Sequence, residues 1–140
     1  MNGFEKVMSS WEQLLNSDSE LKERNKSIYS TLEGKTAIHL EVAKKPSYVV
    51  DIQGGKFTVR QGSVSAPLLR WKLSAGLFKD VMLGKYRLVY GLLDPRGEIA
   101  FDTGHFTHWN GATIIEMLFL AQELVAKDRE LSEMVKGLEE

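Results

Sequence analysis

Hydrophobic positions along this chain change period several times, and each change marks a new element. Phe4, Val7, Met8, Trp11, Leu14 and Leu15 recur at helical spacing and predict an amphipathic N-terminal helix. Asn16-Ser-Asp-Ser19 interrupts it and offers caps for a second helix. That helix places Leu21, Ile28, Tyr29 and Leu32 on one stripe, with Gly34 as its stop. The period then drops to two. Ile38, Leu40 and Val42 alternate with Ala37, His39 and Glu41, which puts His39 on the wet face of a first strand. Tyr48, Val50 and Ile52 form a second alternating set, and Phe57 and Val59 a third. Gln53-Gly-Gly-Lys56 between them is a tight-turn signal, because glycine accepts positive φ.

Leu69, Trp71 and Leu73 predict a fourth strand. Ser74 then caps a short helix that turns Leu77, Phe78, Val81 and Met82 inward and ends at Gly84. Lys85 to Leu93 fits two patterns. Tyr86, Leu88, Tyr90 and Leu92 alternate as in a strand, while Leu88, Val89, Leu92 and Leu93 share one side of a helix. Asp94-Pro-Arg-Gly97 is a turn, and Glu98 to Asp102 reads as a last strand with Ile99 and Phe101 on one face. After a loop rich in aromatics and histidine comes a long helix from Ala112 to Lys127, then a charged tail with a thin stripe of Leu131, Met134, Val135 and Leu138.

The long helix is too oily for a simple surface element. Only Glu116, Glu123 and Lys127 mark a polar side. The apolar arc spans roughly 260°, against the ~100° that a surface helix needs. Its surplus must face other helices, a second copy of the chain, or a cavity for an apolar ligand. Gln122 falls inside that arc, to bond a neighbouring backbone group or to meet a ligand headgroup.

Composition narrows the functional classes. At 140 residues the chain fits one domain, with a helical N-terminus (1–34), sheet and short helices (35–102), and the long helix (111–127) with its tail. A net charge of −1 argues against a nucleic-acid partner, which calls for a basic excess. The absence of cysteine excludes disulfides and thiolate metal sites and suits a reducing cytoplasm. The N-terminus carries no apolar signal core, and the run from Ala112 to Val125 is too short and polar to cross a bilayer. Gly54-Gly55 has no helix start behind it to hold phosphate, and the lysine pairs read as solvated charge. Asp102, His105 and His108 form the one constellation resembling an active site. Their spacing could ligate a metal such as zinc or serve acid–base chemistry, but no nucleophile in a characteristic setting accompanies them.

The ordered pieces resemble a known family. The Tyr48-Val-Val-Asp-Ile52 strand, the Gly-Gly turn and the strand ending in Gly62 come first. Pro67 follows, before Leu69, Trp71 and Leu73, then the helix from Ser74 to Gly84-Lys85 and the late Gly97-Glu-Ile-Ala-Phe-Asp102 strand. From about Phe4 to Phe119 this order is similar to the sterol carrier protein type two, or non-specific lipid-transfer, family. The chain departs from it at Asp102-Thr-Gly104 and in the loop up to Gly111. The resemblance implies an α+β fold, a five-stranded, mostly antiparallel sheet with helices on one face. It also implies a helical Lys85–Leu93 segment and a cavity for fatty acids, acyl chains, sterols or isoprenoid lipids. No cofactor and no covalent chemistry are expected of such a carrier. Phe78, Met82, Tyr86, Met117, Phe119 and Gln122 are the expected ligand contacts, methionine being suited to a wall that adapts its shape. A homodimeric module without ligand, or a small metal enzyme built on Asp102, His105 and His108, are the alternatives.

Overall fold

The computed structural model describes residues 2–101 and 108–139. Three helices come first, α1 (Gly3–Ser17), α2 (Ser19–Arg24) and α3 (Lys26–Thr31). Asn2 caps α1 by accepting from Glu5 N, and Asp18 caps α2 by accepting from Glu20 N and Leu21 N. The single helix expected over Leu21 to Leu32 is split at Asn25, whose φ of −118° and ψ of 25° leave the helical region. The Asn25 side chain donates to Leu21 O at 2.9 Å, so this residue closes α2 while its backbone opens α3.

Strands β1 (Lys35–Val42), β2 (Tyr48–Gln53), β3 (Lys56–Gln61), β4 (Leu69–Leu73) and β5 (Gly97–Phe101) form one sheet in the order β3-β2-β1-β4-β5. Only β1 and β4 run parallel, with Leu40 beside Trp71; the other neighbours are antiparallel. The β2–β3 turn has both glycines at positive φ, Gly54 at 61° and Gly55 at 72°, as a two-residue hairpin demands. Ile38, Leu40, Tyr48, Val50, Ile52, Phe57 and Val59 share the inner face by register.

Helix α4 (Ala75–Met82) begins at Ser74, whose Oγ accepts from Leu77 N at 3.1 Å. The two-way pattern after Gly84 resolves as a short helix, α5 (Leu88–Leu92). It seats Leu88, Gly91 and Leu92 inward. Gly91 lies so close to α4 that a Cβ there would sit 2.3 Å from Val81 Cγ2. Helix α6 (His108–Lys127) and α7 (Arg129–Lys136) finish the helical layer, and Asp128 caps α7 by accepting from Leu131 N. Lys79 Nζ donates to Leu138 O at 2.9 Å, tying the C-terminal end to α4.

Helix α1 lies along β3, an edge strand of the sheet. Its side chains occupy part of that edge. Val59 N donates to Glu12 Oε2 at 2.6 Å and Phe57 N to Asn16 Oδ1 at 2.9 Å, while Asn16 Nδ2 donates back to Phe57 O at 2.7 Å. Asn16 thus imitates a neighbouring strand.

Candidate functional site

Between the inner sheet face and helices α1, α4 and α6 lies a cavity of about 70 Å³. The sheet contributes Ile38, Leu40, Val50, Phe57, Val59 and Trp71. Met8, Trp11 and Leu15, one stripe of α1, close one side. Phe78 and Met82 come from α4, and Met117, Leu118 and Ala121 from α6. Among the described residues no charged side chain lines it. Phe78 is held by edge-to-face contacts with Phe4 at 5.6 Å and Trp11 at 5.8 Å. Trp11 Nε1 donates to Ala121 O at 3.4 Å, joining α1 to α6 across the rim. Tyr29 OH donates to Leu15 O at 2.6 Å; burial, with Asp18 nearby, pushes this phenol up to about 12, so it stays a donor at neutral pH.

Of the expected ligand contacts, Phe78, Met82 and Met117 face this cavity. Tyr86, Phe119 and Gln122 do not, and each departure has a local cause. Met117, Leu118 and Ala121 define the inward side of α6; at about 100° per residue Phe119 points nearly opposite, and it is 49% exposed. Tyr86 lies after the end of α4, outside the core, with the Arg96 guanidinium 5.6 Å from its ring centre. Gln122 Nε2 donates to Val81 O at 2.7 Å, so its amide serves a carbonyl in the last turn of α4. The residues not anticipated as ligand contacts, those of α1 and the sheet above all, were legible as apolar stripes. Which members of a stripe front a void depends on how the layers meet.

Asp102 and His105 lie outside the described residues, as does the side chain of His108, whose backbone opens α6. Among the described residues no cluster of histidine and carboxylate side chains is placed to hold a metal ion. Nor, among the described residues, is any helix long and apolar enough to cross a membrane.

His39 corrects another expectation. It lies on the outer sheet face yet is only 1% exposed. Arg70 Nη1 stands 2.8 Å from His39 Nδ1, and Arg70 Nη2 donates to Val64 O at 3.1 Å, binding the β3–β4 connection beside it. The arginine makes Nδ1 an acceptor, which leaves the proton on Nε2, 3.4 Å from Glu41 Oε1. Burial first, and then the Arg70 charge, holds the imidazole below its ordinary range; Glu41 opposes them.

No family model matches the chain, and none of the curated proteins does. Solved structures do. The sterol carrier protein domain 2 of Helicoverpa armigera superposes with a TM-score of 0.62 at 13% identity, covering 86% of this chain and 89% of that one. Sterol carrier protein 2 from Yarrowia lipolytica, in its apo form, gives 0.57 at 19% identity over 87% and 95%. A UbiJ-SCP2 ubiquinone synthesis protein gives 0.53 at 17% over 86% and 97%. Sequence identity this low speaks for architecture alone. The chain has the sterol carrier protein fold.

Proposed function

We propose that this chain binds an apolar ligand, a fatty acid, acyl chain, sterol or isoprenoid lipid, between its sheet and helices, and carries it without a covalent step. The apolar cavity closed by Phe78, Met82 and Met117 carries this reading. Transfer from water yields about 0.8 kcal/mol per buried CH₂, so a sixteen-carbon tail gains on the order of 10 kcal/mol before ordering costs. The void of about 70 Å³ is less than half the ~150 Å³ that accommodates benzene, so a long ligand enters only as the walls part. The wall is suited to parting: Met8, Met82 and Met117 are unbranched thioethers on three different helices.

Native mass spectrometry of freshly purified protein, with extraction of any bound lipid, tests the proposal alongside titration with a fluorescent fatty acid. Retained lipid, or saturable uptake that unlabelled lipid displaces, is the expected result. A protein that emerges empty and takes up no apolar probe would end it.

A further inference from the structure

Four of the six large hydrophobic side chains exposed among the described residues fall within one short segment. Tyr86 is 41% exposed, Val89 52%, Tyr90 66% and Leu93 71%. At about 100° per residue, Val89, Leu93 and Tyr90 share an arc of about 100°. The opposite side of α5 is buried through Leu88, Gly91 and Leu92, so this arc is the outward face of a seated helix. Lys85 and Arg87 are exposed in the same segment, and Lys85 to Leu93 contains no acid; Lys85 Nζ stands 3.6 Å from Asp80 Oδ1 on α4, a carboxylate that Arg96 also contacts at 3.1 Å. Asp94, next along the chain, accepts from Arg96 and is held below the usual carboxylate range by it.

We propose that α5 and the residues before it dock this protein on an anionic lipid surface. Tyrosines and cations beside protruding aliphatic side chains match the layered chemistry of a membrane interface, oily below and negatively charged above. A second copy fits less well. A two-fold contact through this patch would gather two copies of Lys85 and Arg87 around one axis, and four side chains fall short of the ~800 Å² per partner of a standard interface. The stripe of α1 is not available for the task, since Phe4, Val7, Met8, Trp11 and Leu15 are all buried. Docking here places the surface one helix away from the cavity: Gly91 touches Val81 on α4, the helix that carries Phe78 and Met82. The proposal stands whatever the cavity holds.

Co-sedimentation decides it, using vesicles of phosphatidylcholine alone and vesicles mixed with an equal part of phosphatidylglycerol. The protein is expected to bind the mixed vesicles, more weakly as salt rises. R87Q should lose about fivefold in affinity, the share of one interfacial cation. The V89D/L93D double variant should lose at least tenfold while keeping its circular dichroism, both positions being more than half exposed. Failure of the parent protein to bind mixed vesicles overturns the proposal, as does equal binding by V89D/L93D. A parent that sediments at equilibrium as a dimer, becomes monomeric in V89D/L93D and ignores vesicles would assign the patch to a second copy instead.

Discussion

Replacing Gly91 by alanine tests the seat of α5 on α4, because two effects of opposite sign compete there. In a helix alanine is favoured over glycine by ~0.8–1.0 kcal/mol, so an unobstructed Gly91→Ala would stabilise the protein. The structure forbids that outcome. The new methyl would lie 2.3 Å from Val81 Cγ2 and 3.5 Å from both Val81 Cβ and Cγ1. The optimum carbon–carbon separation is ~3.5–4.0 Å, so the nearest contact is short by more than about 1 Å. Val81 is fully buried and β-branched within a helix, which leaves it little χ1 freedom. Overpacking costs about 1–3 kcal/mol, and so tight a contact belongs near the upper end. The net expectation is destabilisation by about 1–2 kcal/mol, read as a lower urea midpoint at unchanged slope. Val81→Ala alone removes two buried carbons and costs about 1.6 kcal/mol plus a cavity contribution. Once Val81 is trimmed, adding Gly91→Ala should turn favourable, a coupling of about 2–3 kcal/mol in a double-mutant cycle. If Gly91→Ala raises stability by close to ~1 kcal/mol in the parent protein, α5 does not rest on Val81 and the packing argument fails.

Three further outcomes concern the cavity and its surroundings. Ala121→Leu pushes three more carbons into the void; burial worth about 2 kcal/mol roughly offsets overpacking, so melting should change little while uptake of a fluorescent fatty acid falls at least tenfold. A large loss of stability with normal uptake would contradict it. Phe119→Ser removes an outward-facing ring and should leave both uptake and urea midpoint within about 0.5 kcal/mol of the parent, whereas impaired uptake would restore Phe119 to the wall. His39 is held below its ordinary 6.5 in the fold, so the unfolded chain binds the proton more readily. Its contribution is therefore present above pH 6.5 and is lost as pH falls below 6.5 toward the folded value. His39→Gln keeps an acceptor for Arg70 and should flatten the decline in urea midpoint across that window; an unaltered decline would show that other groups cause it.

Much of the fold could be read locally, because its signals are local. Two adjacent glycines can satisfy a hairpin turn, and a serine before an apolar period can cap a helix, whatever lies across the core. Both appear where the pattern placed them, at Gly54-Gly55 and Ser74. The break at Asn25 is hidden because Leu21, Ile28, Tyr29 and Leu32 keep a helical stripe across it. The burial of His39 is hidden because alternation assigns a face and says nothing about what covers that face. The α6 residues show a different limit. A helix that is oily nearly all round has no preferred direction in its own pattern, so Met117 and Phe119 look alike. Only packing against α1, α3, α4 and α7 turns one in and the other out. The void itself is a mismatch between layers, and no segment records it.

The grip of Glu12 and Asn16 on β3 has a consequence for handling as well as for folding. A bare strand margin invites foreign chains to pair with it, which is how soluble sheets turn into fibres. Here the amides of Phe57 and Val59 are already spoken for, so templated growth from that border must first peel the N-terminal helix away. Damage at either polar side chain should therefore show itself as turbidity on storage before any loss of the circular dichroism of the folded chain.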